Sequence, residues 1–122
     1  MTDKKIALIV DDEKDMVRVI RDRLEAIGLK VITAVNGEEA VQKAFMRPDI
    51  IILDYMMPVM NGMDALRKLK ENELTSDIPV IMLTAKGDNS IQNEVTFFGA
   101  EFAEKPFHPA ELAEKVRVLI NG

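Results

Sequence analysis

Five short runs of aliphatic and β-branched residues alternate with five segments of helical period in this chain, and that alternation leaves few folds open to it. Strands are expected at 6–10 (IALIV), 30–34 (KVITA), 50–53 (IIIL), 79–83 (PVIML) and 101–104 (EFAE). The first, third and fourth are almost continuously apolar. Strands with both faces covered read that way, so these belong at the centre of a parallel sheet. The second and fifth are more mixed, as edge strands are.

Helices are expected between them. Residues 14–27 place Val17, Ile20, Leu24 and Ile27 on one face, with Gly28 as the stop. Residues 38–46 carry Ala40, Val41, Ala44 and Phe45, with a Glu39–Lys43 pair at i,i+4 spacing. Residues 63–72 carry Leu66 and Leu69, and 89–98 carry Ile91, Val95 and Phe98, closed by Gly99. Residues 109–120 open on Pro109 and carry Leu112, Val116 and Leu119. Strict alternation with right-handed crossovers makes an α/β domain, a doubly wound five-stranded parallel sheet with helices on both faces.

At 122 residues there is room for one domain, so the whole of 1–122 is expected to fold as a unit. No apolar run approaches the roughly 20 residues a membrane span needs. The start, with Asp3, Lys4 and Lys5 before a five-residue apolar run, is no signal peptide. Lack of cysteine excludes disulfides and thiolate metal sites, which fits cytoplasm. A net charge of −5 argues against direct nucleic-acid binding.

A doubly wound sheet binds ligands at the carboxyl ends of its strands. There the chain places Asp11 and Asp12, Asp54, Thr84 with Ala85, and Lys105 with Pro106 and Phe107. Singly, each has an ordinary explanation. Either early Asp could cap the first helix, Thr84 could merely end a strand, and Lys105 could be a solvated lysine. Asp54 caps nothing, because the next helix starts beyond Pro58 and Asn61 is the better cap. Together, three carboxylates, a hydroxyl and an ammonium share one rim. Two unit charges about 4 Å apart repel by roughly 4 kcal/mol at an effective dielectric near 20, so the acids call for a cation between them. Oxygen donors without sulfur or imidazole suit magnesium, which also takes phosphate oxygens. An ionised carboxylate can attack phosphorus without a general base, and the metal, ammonium and hydroxyl can hold the phosphoryl oxygens.

The pattern Asp11-Asp12, Asp54 with Met57-Pro58 and Gly62, Thr84-Ala85 and Lys105-Pro106-Phe107 resembles the receiver domain of two-component response regulators, the CheY-like family. The resemblance covers the whole chain. It implies a flavodoxin-like strand order 2-1-3-4-5. It also implies that Asp54 takes a phosphoryl group from a histidine kinase or phosphotransfer protein. Asp12, Asp54 and the Met56 carbonyl would hold Mg2+, with Asp11 helping through water. Thr84 and Lys105 would contact the phosphoryl group, the Lys105–Pro106 bond would be cis, and Phe102 would be the aromatic switch that turns inward when Thr84 moves. The first helix, through Met16 and Val19, and the loop at Pro106 would dock the kinase.

The main alternative is a magnesium-dependent phosphatase that also forms an aspartyl phosphate. It needs a second Asp two residues after the nucleophile, where this chain has Met56. A flavodoxin-like electron carrier is disfavoured by Asp11 and Asp12, which would repel a cofactor phosphate, and by the single Tyr and absent Trp. The five βα units account for all 122 residues, so the chain is expected to be a stand-alone receiver or a segment of a longer regulator. The fourth helix is written in weak helix formers (Asn89, Ser90, Ile91, Asn93, Val95, Thr96), which suits a face around helix four, strand five and helix five that rearranges. Met56 and Lys86, two positions after Asp54 and Thr84, are expected to slow hydrolysis of the phosphoryl group.

Overall fold

The computed structural model describes residues 4–121, so the first three residues and Gly122 lie outside the described residues. The elements run β1 Ile6–Val10, α1 Lys14–Ala26, β2 Lys30–Ala34, α2 Gly37–Ala44, β3 Ile50–Asp54, α3 Gly62–Glu71, β4 Val80–Ala85, α4 Asn89–Phe97, β5 Glu101–Lys105 and α5 Pro109–Asn121. All neighbouring strands pair parallel in the order β2-β1-β3-β4-β5, as expected.

The continuous apolar runs are explained by two cores, one on each face. Because strand side chains alternate, Leu8, Val10, Ile51, Leu53, Val80 and Met82 pack beneath α2, α3 and α4. Their neighbours Ala7, Ile9, Ile50, Ile52, Ile81 and Leu83 pack beneath α1 and α5. Register aligns the rows: Ile9 pairs with Ile52, and Ile52 with Ile81. Each fully buried Leu or Ile contributes about 1.5–3 kcal/mol, so β3, buried along its whole length, contributes more than the edge strands β2 and β5, whose side chains are mostly half-buried or exposed.

The helix stripes hold with two corrections. Ile27 and Phe45 are exposed, because α1 ends at Ala26 and α2 at Ala44, leaving both as helix-capping residues turned to solvent. Gly28 and Gly99 take positive φ as helix stops, and Asn61 caps α3 by accepting from the Asp64 N–H at 2.9 Å. Three strands run further than expected: β3 includes Asp54, β4 starts at Val80 and includes Thr84 and Ala85, and β5 includes Lys105. The parallel ladder carries these polar residues because pairing continues to the rim.

The β3–α3 loop closes tightly on the strand it leaves. The Gly62 N–H donates to the Tyr55 carbonyl at 2.9 Å, and a Cβ at Gly62 would sit 2.6 Å from the Asp54 carbonyl oxygen and 2.6 Å from the Met82 sulfur. Val59, in the same loop, takes φ +69, a conformation rare for a β-branched residue. Gly62→Ala is therefore expected to lower stability by about 1–3 kcal/mol and to displace Asp54. Denaturant unfolding checks the first effect. An alanine variant as stable as the parent would mean that the loop absorbs the methyl group.

Candidate functional site

Parallel strands point one way, so the carboxyl ends of β1, β3, β4 and β5 meet on one rim. Asp11 follows β1, its N–H still donating to the Ala34 carbonyl at 3.1 Å. It is 3% exposed, and Asp54, the last residue of β3, is 4% exposed. Asp12 faces solvent. One carboxylate oxygen from each of the three comes within 4.8 Å of the others. Neither early acid caps α1. Its capping residue is Glu13, which makes no side-chain cap, and its N–H donates to Asp11 Oδ1 at 2.9 Å. Asp11 Oδ2 is buried with no hydrogen-bond partner. An unpaired buried carboxylate oxygen beside two other acids is what a cation site leaves in the protein's own atoms.

Lys105 Nζ donates to Asp54 Oδ1 at 2.8 Å. Burial pushes the Asp54 carboxyl above its usual range, opposed by Lys105 and by the Met56 backbone N–H. Asp11 is pushed up to about 6, first by burial and then by the Asp54 charge, against the Glu13 N–H. The acids are held under electrostatic strain, and a cation would relieve it.

Thr84, 1% exposed, sits inside β4. Its Oγ1 accepts from Gln92 Nε2 at 3.2 Å, and the same amide donates to Glu104 Oε2 at 2.9 Å. Gln92 and Glu104 were not among the residues expected at the site. Gln92 sits in α4 outside the Ile91/Val95/Phe98 stripe, and no sequence period marks a buried amide. Met56 lies just past β3 and is 71% exposed. Phe102 is half-buried on β5 against the α4-side core. Lys86 is exposed and close enough to Glu104 to help hold that carboxyl below its usual range, after the Gly87 N–H and Gln92. Met16, Val19 and Pro106 line one apolar cleft of about 500 Å³ with Phe107 and Pro109, beside Lys105. The Lys105–Pro106 bond is cis.

The sequence profile of the response regulator receiver domain matches residues 7–117. The chain belongs to this family. Among curated proteins, this receiver domain is 41% identical over 120 residues to the phosphate regulon transcriptional regulatory protein PhoB of Pseudomonas aeruginosa, covering 96% of the chain and 52% of PhoB. The receiver spans about half the length of the curated relatives it matches. Among solved structures it superposes on the chemotaxis response regulator CheY4 of Vibrio cholerae with a TM-score of 0.87 at 30% identity, covering 96% of this chain and 99% of that one. The response regulator domain of Thermotoga maritima CheB gives 0.85 at 32% identity, covering 98% of both chains. The domain is therefore a two-component signalling module with the CheY-like fold. No helix among the described residues is long and apolar enough to cross a membrane.

Proposed function

We propose that Asp54 is the phosphoacceptor, that the acidic trio holds magnesium, and that phosphorylation switches the surface around α4, β5 and α5. The observation that carries this reading is the setting of Asp54: a buried strand-end carboxylate within 4.8 Å of two other acids, with an ammonium on one oxygen. The donors fit a hard cation, being all oxygen and including the unpartnered Asp11 Oδ2. Asp12, Asp54 and the Met56 carbonyl would hold the ion, with Asp11 acting partly through water. Bound there, magnesium would neutralise the acids and draw charge from a phosphoryl oxygen.

The chain's own residues do the rest. An Asp54 oxygen attacks phosphorus while the bond to the donor imidazole nitrogen breaks and its electron pair leaves with the ring. Lys105 releases its hold on Asp54 to meet the incoming phosphoryl charge, and Thr84 donates to another of its oxygens. As Thr84 moves towards the phosphoryl group, Phe102 turns into the space behind it. The domain assists its own phosphorylation and dephosphorylation and turns over no separate substrate. A cytoplasmic setting, where a phosphohistidine donor would meet the site, is part of this reading, and the charge of −5 favours output through protein contact over nucleic acid. In the test, acetyl phosphate with magnesium should add one phosphoryl group, mapped by mass spectrometry to the Asp54 peptide, and none in chelator. Labelling mapped to another residue would overturn the assignment.

Two further expectations belong to this reading. The cleft at Met16, Val19 and Pro106 borders Lys105, so a helical phosphodonor seated there would bring its histidine to Asp54. Met16→Glu with Val19→Glu should slow transfer from the cognate kinase and spare acetyl phosphate labelling; equal loss of both would indicate a damaged fold. Hydrolysis of the product needs a water in line with phosphorus. Met56 offers a bulky, weakly accepting thioether and Lys86 a charged ammonium that cannot take a proton. Met56→Asn with Lys86→Glu should hasten dephosphorylation by roughly tenfold or more, about 1.4 kcal/mol of barrier. An unchanged rate would mean these side chains do not control access.

A further inference from the structure

We infer that Gln92 is a positioning residue, a latch that holds the Thr84 hydroxyl towards α4 and away from the phosphoryl site. The inference rests on the reading of Asp54 as phosphoacceptor and Thr84 as a phosphoryl contact. Gln92 is a long polar side chain only 7% exposed on a helix whose apolar positions could have filled that space. Its amide has two N–H donors and both are used, one on Thr84 Oγ1 at 3.2 Å and one on Glu104 Oε2 at 2.9 Å. Glu104 is fixed in turn by the Gly87 N–H at 2.9 Å, in the turn that leads into α4. The latch therefore ties three segments together: the end of β4, the start of α4 and β5. An ion pair between Arg67 and Glu94 fastens the same helix to α3.

The physical consequence follows from geometry. Thr84 Oγ1 accepts from Gln92 and keeps its own proton to donate, so it is a displacement of Oγ1, and not the new bond itself, that breaks the Gln92 contact and obliges the amide to follow or stay unpaired. If Thr84 moves to a phosphoryl oxygen, its bond to Gln92 breaks, or Gln92 is drawn along and α4 moves. Either way the unphosphorylated arrangement is favoured by the latch, and α4 senses where the Thr84 hydroxyl lies. Gln92 thus sets how readily the domain switches, and Glu104 sets how firmly Gln92 is held.

Fluoroberyllate with magnesium, a phosphoryl mimic, tests this on the intact chain by titration followed by NMR. Gln92→Met keeps side-chain length and removes both donors. It should tighten fluoroberyllate binding about fivefold, the equivalent of losing one hydrogen bond of ~1 kcal/mol. It should also uncouple α4, so that α4 amide shifts on binding shrink while those of β3 remain. Glu104→Gln, which keeps an acceptor for Gln92 and for Gly87, should bind as wild type does. In a Thr84→Ala background the Gln92→Met effect should vanish, because the cycle isolates the pair. Unchanged or weaker binding by a folded Gln92→Met protein, or the same gain without Thr84, would overturn the latch alone. Fluoroberyllate binding that survives Asp54→Asn would overturn the phosphoacceptor reading and the latch with it.

Discussion

Asp54→Asn is expected to reduce acetyl phosphate labelling to background while leaving the domain folded and no less stable in chelator at neutral pH. The first half is a matter of nucleophilicity, since a carboxamide has no ionised oxygen to offer phosphorus. The second half follows from the strain at the rim. Burial lifts the Asp54 carboxyl above its usual range, which means that folding disfavours its charge. An amide of the same shape removes that charge and still offers its oxygen to Lys105, whose own side chain is about one-third exposed and able to reach water. Intact-mass spectrometry and thermal unfolding read the two halves separately. Residual labelling at wild-type level would place the nucleophile elsewhere, whereas an unfolded variant would show the carboxylate to be structural.

Magnesium is expected to stabilise the wild type by about 2.7 kcal/mol at 100 times its dissociation constant, a shift of roughly 10 °C in melting temperature for a chain of this size. Asp12→Asn should raise the melting temperature in chelator and abolish the magnesium response, because it relieves repulsion and removes a ligand together. The pH dependence carries a definite sign. Folding raises Asp11 from 3.8 to about 6, so between those values the folded state keeps a proton that the unfolded chain has released. That contribution favours folding below pH 4 and is lost as pH rises through 6. In chelator, the stability of the wild type relative to Asp11→Asn should therefore fall between pH 4 and 7, by on the order of 2–3 kcal/mol. A constant difference across that range would show that Asp11 is not held neutral, and a melting curve indifferent to magnesium would contradict the metal site.

Much of this was open to reading along the chain, for physical reasons. Runs such as IALIV and IIIL are favoured only in strands covered on both faces, and Gly28 and Gly99 mark where α1 and α4 stop before β2 and β5. Acids, a threonine and a lysine at the carboxyl ends of β1, β3, β4 and β5 must share a rim once these strands pair parallel, so the gathering of Asp11, Asp12, Asp54, Thr84 and Lys105 was legible along the chain. Local signals also located the Asn61 cap and the Pro109 helix start, since both act within one turn. What only the tertiary structure decided involves groups distant in sequence or side chains with no period. The exposure of Ile27 and Phe45 depends on where a helix stops against its neighbours, which shifts with one turn of backbone. The orphaned Asp11 Oδ2 depends on β1, β3 and the α1 turn closing around it. The Gln92 amide is the clearest case. In a helix of weak formers a glutamine reads as solvent-facing, and only the approach of α4 to β4 and β5 buries it between Thr84 and Glu104. A hydrogen bond between residues on three elements leaves no trace in the pattern of any one of them.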